Sequence, residues 1–401
     1  MMKKQLLSAF LLSVFPLSTA SAGELGDALA ATKPILDARL RYETVSQPIF
    51  TRDAEALTLR LRAGFETGKA WNTSFLTDFE WVESLTGRYN STTNGHTAYP
   101  VVADPQVVEL NRLQLQNTSL PDTTITLGRQ RINLDDQRFV GNVGWRQNEQ
   151  TFDALRMVNK SLPGLTVDLT YLIRVNRVFG RESPQGRFRG DTFLVNAAYD
   201  FGLGTLTAFG YWIDVDAPFS GNASRTIGAR FAGKAPLGAV TLAYALSVAN
   251  QTGYKANPAD YDVMYYLVEA SASYAGFMAG GGWESLGGNG TKGFSTPLAT
   301  LHKFEGWADV FLTTPPDGVV DTYVKAGYAI KNVGPFDKVG LTAFHHWFEA
   351  ERGSADYGHE FDVSLSAAWK NLEFTVKYAD YQARSFAVDT QKLWFQLDYK
   401  L

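Results

Sequence analysis

The sequence has no cysteine and only five histidines among 401 residues. Without cysteine there are no disulfides, thiolate nucleophiles or thiolate-ligated metals. The histidines show no HExxH spacing, and no GxSxG occurs, so the common hydrolase signatures are missing. A net charge of -4 gives nucleic acid no electrostatic reason to bind. Past residue 22 there is no long apolar run, which excludes a transmembrane helix. It does not exclude crossing a membrane by strands, because only every second strand residue then needs to be apolar.

The N-terminus has Lys3 and Lys4, then the largely apolar Leu6–Leu17, then Ala20-Ser21-Ala22. This is the pattern of a secretory signal peptide over residues 1–22, leaving one domain over residues 23–401. The domain reads as short segments of period-two alternation. Leu36, Ala38, Leu40 and Tyr42 alternate with Asp37, Arg39, Arg41 and Glu43. Leu57, Leu59, Leu61, Ala63 and Phe65 alternate with Thr58, Arg60 and Arg62. The same rhythm returns near Leu165–Ile173, Val240–Leu246 and Phe361–Trp369. Such alternation predicts strands with one apolar and one polar face.

Tight turns such as Leu162-Pro163-Gly164 and Lys370-Asn371 take turns with long polar stretches such as Ile132–Gln150 and Gly287–Gly318. The final strand alternates to the last residue through Leu393, Phe395, Leu397, Tyr399 and Leu401. A chain end of this kind must be paired, as barrel closure demands. The expected fold is therefore all-β: a transmembrane antiparallel up-and-down β-barrel of about 18 strands, 16 being the other count. A soluble sandwich or propeller is the competing architecture.

With apolar faces on lipid, the polar faces line the lumen. Pairing Arg39 with Arg62 and Arg41 with Arg60 opposes Leu40 to Leu61 and gathers four guanidiniums on one wall. Either carboxylates of a plug loop neutralise them, or they form an electropositive constriction for anions. Arg112, Arg174 and Lys325 also fall on polar faces, as solute contacts or as solvated lumen residues. His345-His346 point to opposite faces of a strand and do not suggest a shared metal.

The segment Gly128–Asp153, GRQRINLDDQRFVGNVGWRQNEQTFD, packs Arg129, Arg131, Arg138 and Arg146 against Asp135, Asp136, Glu149 and Asp153. If Ile125 and Leu127 face lipid, alternation sends Arg129 and Arg131 there too. Either Gly128 begins a bulge that resets the register, the favoured reading, or these residues lie above the lipid band. The remainder is expected to fold inward as a constriction loop held by its own ion pairs.

This segment and the later FSTPLATLHKFEGWADVFLTTPPDGVVDTY resemble the alginate-export family of bacterial outer-membrane porins. The resemblance implies a monomeric barrel with an Arg-rich, anion-selective lumen, and it places Arg129, Arg131, Arg138, Arg146, Asp135, Glu149 and Asp153 beside the conduit. The functional expectation is passive passage of anionic solutes, acidic oligo- or polysaccharides such as alginate included, across the outer membrane. No cofactor, metal or nucleic acid is implied, and outer-membrane lipid is the surroundings. The rival classes are a barrel enzyme, which needs a Ser–His or carboxylate pair on one face, and a non-conducting structural or adhesion barrel.

Overall fold

The structure is a computed structural model that describes residues 22–401. The expected signal segment, 1–22, lies outside the described residues save for Ala22, which opens the short helix α1 (Ala22–Ala30). Eighteen strands follow. They are β1 (Lys33–Ser46), β2 (Ala54–Glu66), β3 (Thr73–Ser84), β4 (Val107–Asn117), β5 (Thr123–Gln130), β6 (Thr151–Asn159), β7 (Leu165–Asn176), β8 (Arg187–Asp200) and β9 (Thr205–Ile213). Then come β10 (Ser224–Leu237), β11 (Val240–Gly253), β12 (Asp262–Tyr274), β13 (Phe277–Leu286), β14 (Val319–Val333), β15 (Phe336–Glu349), β16 (Asp356–Trp369), β17 (Leu372–Ala383) and β18 (Thr390–Lys400).

Each strand pairs antiparallel with the next, and β1 pairs with β18, so the sheet closes into a barrel. The final strand does the closing: Leu397 lies opposite Leu40 and Tyr399 opposite Ala38, and the Leu401 amide donates to the Leu36 carbonyl at 3.0 Å. Connections alternate in length. Those leaving even-numbered strands are short, as at 238–239 and 370–371, and form the turn end. Those leaving odd-numbered strands include 85–106, 131–150 and 287–318 and form the loop end. α1 sits at the turn end, where its Ala28 carbonyl accepts from the Gly68 amide at 2.9 Å.

The alternation sorts side chains as expected. Leu40, Leu113, Leu169, Leu246, Leu341 and Phe395 point outward and are exposed, while Arg39, Arg41, Arg60, Asp78, Glu80 and Asp398 point inward and are buried. An apolar exterior around a charged interior is the inverse of a soluble protein and is stable only with lipid outside. His345 packs outside against Trp347, ring centroids 4.4 Å apart, and His346 turns inward to Asp321 at 2.9 Å.

The first hairpin departs from the expected register by two residues. Arg39 faces Arg60, Asp37 faces Arg62, Leu40 faces Leu59 and Tyr42 faces Leu57. A two-residue slip leaves every side chain on the same face, so the apolar pattern cannot detect it. The observed register opposes Arg62 to a carboxylate instead of a second arginine, which the charges favour.

Outward placement has an energetic signature. Leu246→Arg on the outer face of β11 should destabilise the barrel by about 2–4 kcal/mol, read as a lowered urea midpoint in lipid vesicles. An unchanged midpoint would take Leu246 off the lipid face.

Candidate functional site

The lumen is organised by two loop-end segments that fold inward. Residues 131–150 cross from β5 to the far wall. Arg39 donates to the Gly144 and Trp145 carbonyls at 3.0 and 2.9 Å, and Arg41 to the Trp145 carbonyl at 2.5 Å. Gln147 donates to the Thr58 hydroxyl at 2.8 Å. At the far wall Phe139 packs among Phe209, Tyr211, Tyr265 and Phe294, the closest ring 5.1 Å away. Each such buried aromatic contributes about 1.5–3 kcal/mol. Beside it Arg138 is fully buried between Glu284 at 2.7 Å and Glu305 at 2.8 Å.

Residues 287–318 fold in beside them. The Gly141 amide donates to the Leu298 carbonyl at 2.8 Å, and the Thr300 hydroxyl bonds Gln137 at 2.8 Å. Where the two segments meet the wall, Trp145 stacks on His302 at 4.4 Å, with Arg41 4.0 Å and Lys377 4.2 Å from the Trp145 ring. Lys377 also lies 3.7 Å from the Trp307 ring, and its ammonium donates to His302 Nε2 at 2.8 Å. Desolvated cation–π contacts of this kind are worth about 2 kcal/mol each. His302 Nδ1 meets Asp309 at 2.8 Å, and Asp309 binds Lys392 at 2.7 Å. Burial, and then Lys377, keep the His302 pKa well below the usual imidazole value, so the ring is neutral at this junction.

The four arginines of the first hairpin face the lumen without forming a bare positive wall. Arg39 pairs with Asp398 at 2.7 Å, Arg60 with Asp37, and Arg62 with Glu80. Arg41 reaches Asp104 at 3.8 Å. Most of the neutralising carboxylates come from the barrel strands, whereas the neutralised alternative drew them from a plug loop. Arg112 pairs inward with Asp78 at 2.5 Å, and Lys325 with Glu269 at 2.8 Å.

In the inward segment, Arg146 binds Glu43 at 3.2 Å, with Asp104 and Asp309 each at 3.5 Å. Asp135 accepts from Asn196 at 2.8 Å, and Asp136 pairs with Arg230 at 3.0 Å. Glu149 binds Arg131 at 2.5 Å and Asn111 at 2.7 Å. Apart from Arg131–Glu149, the partners belong to the wall, to the second segment or, for Asp104, to the 85–106 connection, so the loop is not held mainly by its own pairs.

Three expected lumen residues lie elsewhere. Arg129, Asp153 and Arg174 face outward at the loop end. The ladder runs through Gly128 without a bulge, with Leu113 opposite Arg129 and Gly128 opposite Ala154. Gly128 adopts φ +118°, where a Cβ would stand 2.2 Å from the Leu113 carbonyl, so only glycine fits and no residue is inserted. Arg129 therefore keeps the outward parity of Ile125 and Leu127. Arg131, just past β5, turns inward. In β7 a bulge at Ile173 shifts the parity instead, so Val175 faces in and Arg174 faces out.

Three cavities follow the lumen. One of about 400 Å³ opens at the loop end among Val45, Phe50, Val143, Phe179, Arg146 and Lys392. One of about 640 Å³ lies at mid-height among Arg230, Glu269, Lys303, Tyr323, Lys325 and Lys377. The third, about 350 Å³, lies toward the turn end and is lined by Asp37, Arg39, Arg60, Arg62, Arg131 and Glu149. His302 borders the first two, and Asn142 and Gly144 border the last two. Asp398, Glu80 and Lys377 were readable as polar-face strand positions. Asp104, His302 and Asp309 come from loops, where no period marks direction.

No protein-family model matches the sequence, and no curated protein is significantly similar to it, so the alginate-export resemblance gains no support there. Solved structures do match in fold. OccK3 (OpdO) of Pseudomonas aeruginosa superposes with a TM-score of 0.71 at 13% identity, covering 96% of this chain and 99% of its own. The outer membrane protein OpdK of the same organism gives 0.67 at 15% identity, covering 93% and 99%. OpdK solved with vanillate gives 0.68 at 14%, with the same coverage. The chain thus has the fold of an 18-stranded bacterial outer-membrane barrel.

Replacing Arg138 by Gln leaves Glu284 and Glu305 buried without their cation, a loss of about 3–5 kcal/mol. The expected outcome is release of residues 131–150, seen as new protease cleavage there; an intact, uncleaved loop would refute the staple. Acid should act through Glu149. Burial alone would raise its carboxyl pKa, but Arg62 and Arg131, with hydrogen bonds from Arg131 and Asn111, outweigh that and hold it down at about 2. A depressed carboxylate stabilises the fold above its unfolded pKa and stops doing so as pH falls through the folded one. Cleavage of the loop should therefore stay constant from neutral pH to about 4 and rise only toward 2; a rise beginning near pH 6 would contradict this.

Proposed function

We propose that the chain is a passive channel of the bacterial outer membrane for small anionic solutes, carboxylates above all, and not an enzyme. The observation that carries this reading is the state of Arg60 in the turn-end cavity. It is fully buried, and its Nε and Nη1 have no hydrogen-bond partner, although Asp37 pairs with its Nη2. An unmet buried donor costs about 1–3 kcal/mol, which a carboxylate arriving among Arg39, Arg60, Arg62 and Arg131 would relieve. Neighbouring carboxylates temper the field there, so an anion is attracted but not trapped, as conduction requires.

The fold shared with OpdK, which was solved with vanillate, an aromatic carboxylate, supports the same class of solute. Alginate, the solute implied by the sequence resemblance, is a long polyanion. With residues 131–150 and 287–318 both tied across the lumen, the cavities suit single small acids better than a polymer strand. Each polypeptide encloses a complete lumen, so the channel works as a monomer.

The test is the reversal potential in a planar bilayer under a potassium chloride gradient. Wild type should prefer chloride, and Arg60→Glu should shift the reversal potential toward potassium by tens of percent in permeability ratio, with about the order expected of one reversed charge in a narrow lumen. Cation preference in the wild type would sink the anion reading, and an unchanged potential in the variant would remove Arg60 from the path.

A further inference from the structure

The three residues displaced from the lumen form a surface of their own. Cross-strand pairing places Arg129 opposite Asp153, Asp153 opposite Arg174, and Arg174 opposite Arg189. Directly paired residues share a face, and Leu113, the partner of Arg129 on β4, is exposed on the outside. The four side chains are therefore one row across the outer face of β5–β8. Asp153 sits between two guanidiniums, 2.7 Å from Arg129 and 3.1 Å from Arg174. Among the described residues no carboxylate lies within ion-pair distance of exposed Arg189, and Arg174 Nε is shielded from water without a partner. Three cations thus share one anion, and Arg174 and Arg189 oppose each other directly, which is unfavourable unless an anion joins them.

The height of the row suggests which anion. On β8 the outward residues Tyr199, Ala197, Val195 and Phe193 form an apolar run, and Arg189 lies four residues beyond Phe193 toward the loop end, about 13 Å along the strand. On β7, Leu169, Tyr171 and Ile173 run up to Arg174 in the same way. Tyr171 packs on Phe193 at 4.8 Å, and its hydroxyl donates to Asp191 at 2.6 Å; of the neighbouring outward carboxylates Asp214 is held by Lys255 at 2.6 Å, and Asp216 makes no ion pair with Arg189. The arginines stand directly above the lipid-facing band, where headgroups lie and acyl chains would meet Leu127, Ile173 and Phe193.

We propose that Arg129, Arg174 and Arg189 bind the phosphorylated headgroup of a lipid in the leaflet at the loop end. The inference rests on the barrel sitting in the outer membrane, but not on the solute it conducts. Guanidinium forks suit phosphate oxygens, and Asp153 holds two of the three in place. The occupant is a lipid and not free phosphate, because the site is continuous with the apolar band.

Purified barrel in detergent would be titrated with fluorescent lipid A, with the same lipid dephosphorylated, and with inorganic phosphate as competitor. One arginine near a phosphate surface is worth about fivefold in affinity, so Arg189→Gln should weaken lipid A binding about fivefold and the triple Gln variant about 100-fold. Arg189→Gln breaks no ion pair, so the test survives if the triple variant fails to fold. The dephosphorylated lipid should bind both proteins equally weakly, and inorganic phosphate should compete poorly. Equal lipid A affinity in wild type and Arg189→Gln, no preference for the phosphorylated lipid, or full displacement by inorganic phosphate would overturn the proposal. Reversal potentials of the same variants should match wild type; failure of the channel reading alone would change those records and leave the titration intact.

Discussion

In hydrocarbon no backbone amide can go unpaired, and the ladder between β1 and β18 is what meets that requirement here. Everything else follows from closing the ring. Once the sheet has no edge, its outer face must be apolar, and alternation then delivers every second residue to an enclosed interior. The interior is too wide for strand side chains alone to fill. Its polar groups must find partners across the lumen or in segments that fold into it.

The inward segments solve this at both walls by different physics. Against β1 and β2 the contacts are charged: Arg39 and Arg62, which already hold Asp398 and Glu80, donate further N–H groups to loop carbonyls. Against β9–β13 they are apolar, with Phe139 in a cluster of rings and Arg138 neutralised beside it. Lys377, sandwiched between Trp145 and Trp307, joins the two segments. A loop pinned at both ends divides the lumen into three cavities. The arginines thus bind strand carboxylates and loop carbonyls together, and Arg60 keeps two donors without a hydrogen-bond partner beside the turn-end cavity.

Charge outside the barrel follows the same rule of partnership. Arg129 and Arg174 share Asp153 at the edge of the lipid band, where a fully solvated arginine would need no partner and a membrane-buried one could not be tolerated.

The strand pattern was readable because burial in a barrel has period two, and this chain keeps it along most of its strands, from Leu36 in the first to Leu397 in the last. Apolar parity, with the alternation of short and long connections, therefore indicated the fold, the side of the wall taken by Arg39, Arg41, Arg60, Arg62, Arg112 and Lys325, and the closing role of the last strand. Parity is blind wherever the period breaks or repeats itself. It could not separate the Arg39–Arg60 register from one slipped by two, because both put the same residues on the same face. It could not place the Ile173 bulge that turns Arg174 outward, nor show that Gly128 bends the chain without adding a residue. In the loops there is no period at all, so Asp104, His302 and Asp309 found their partners only through the closure of the ring. The sequence by itself determined which residues face lipid; only the tertiary structure decided which charges meet, because those contacts join residues distant in the chain across an enclosed space.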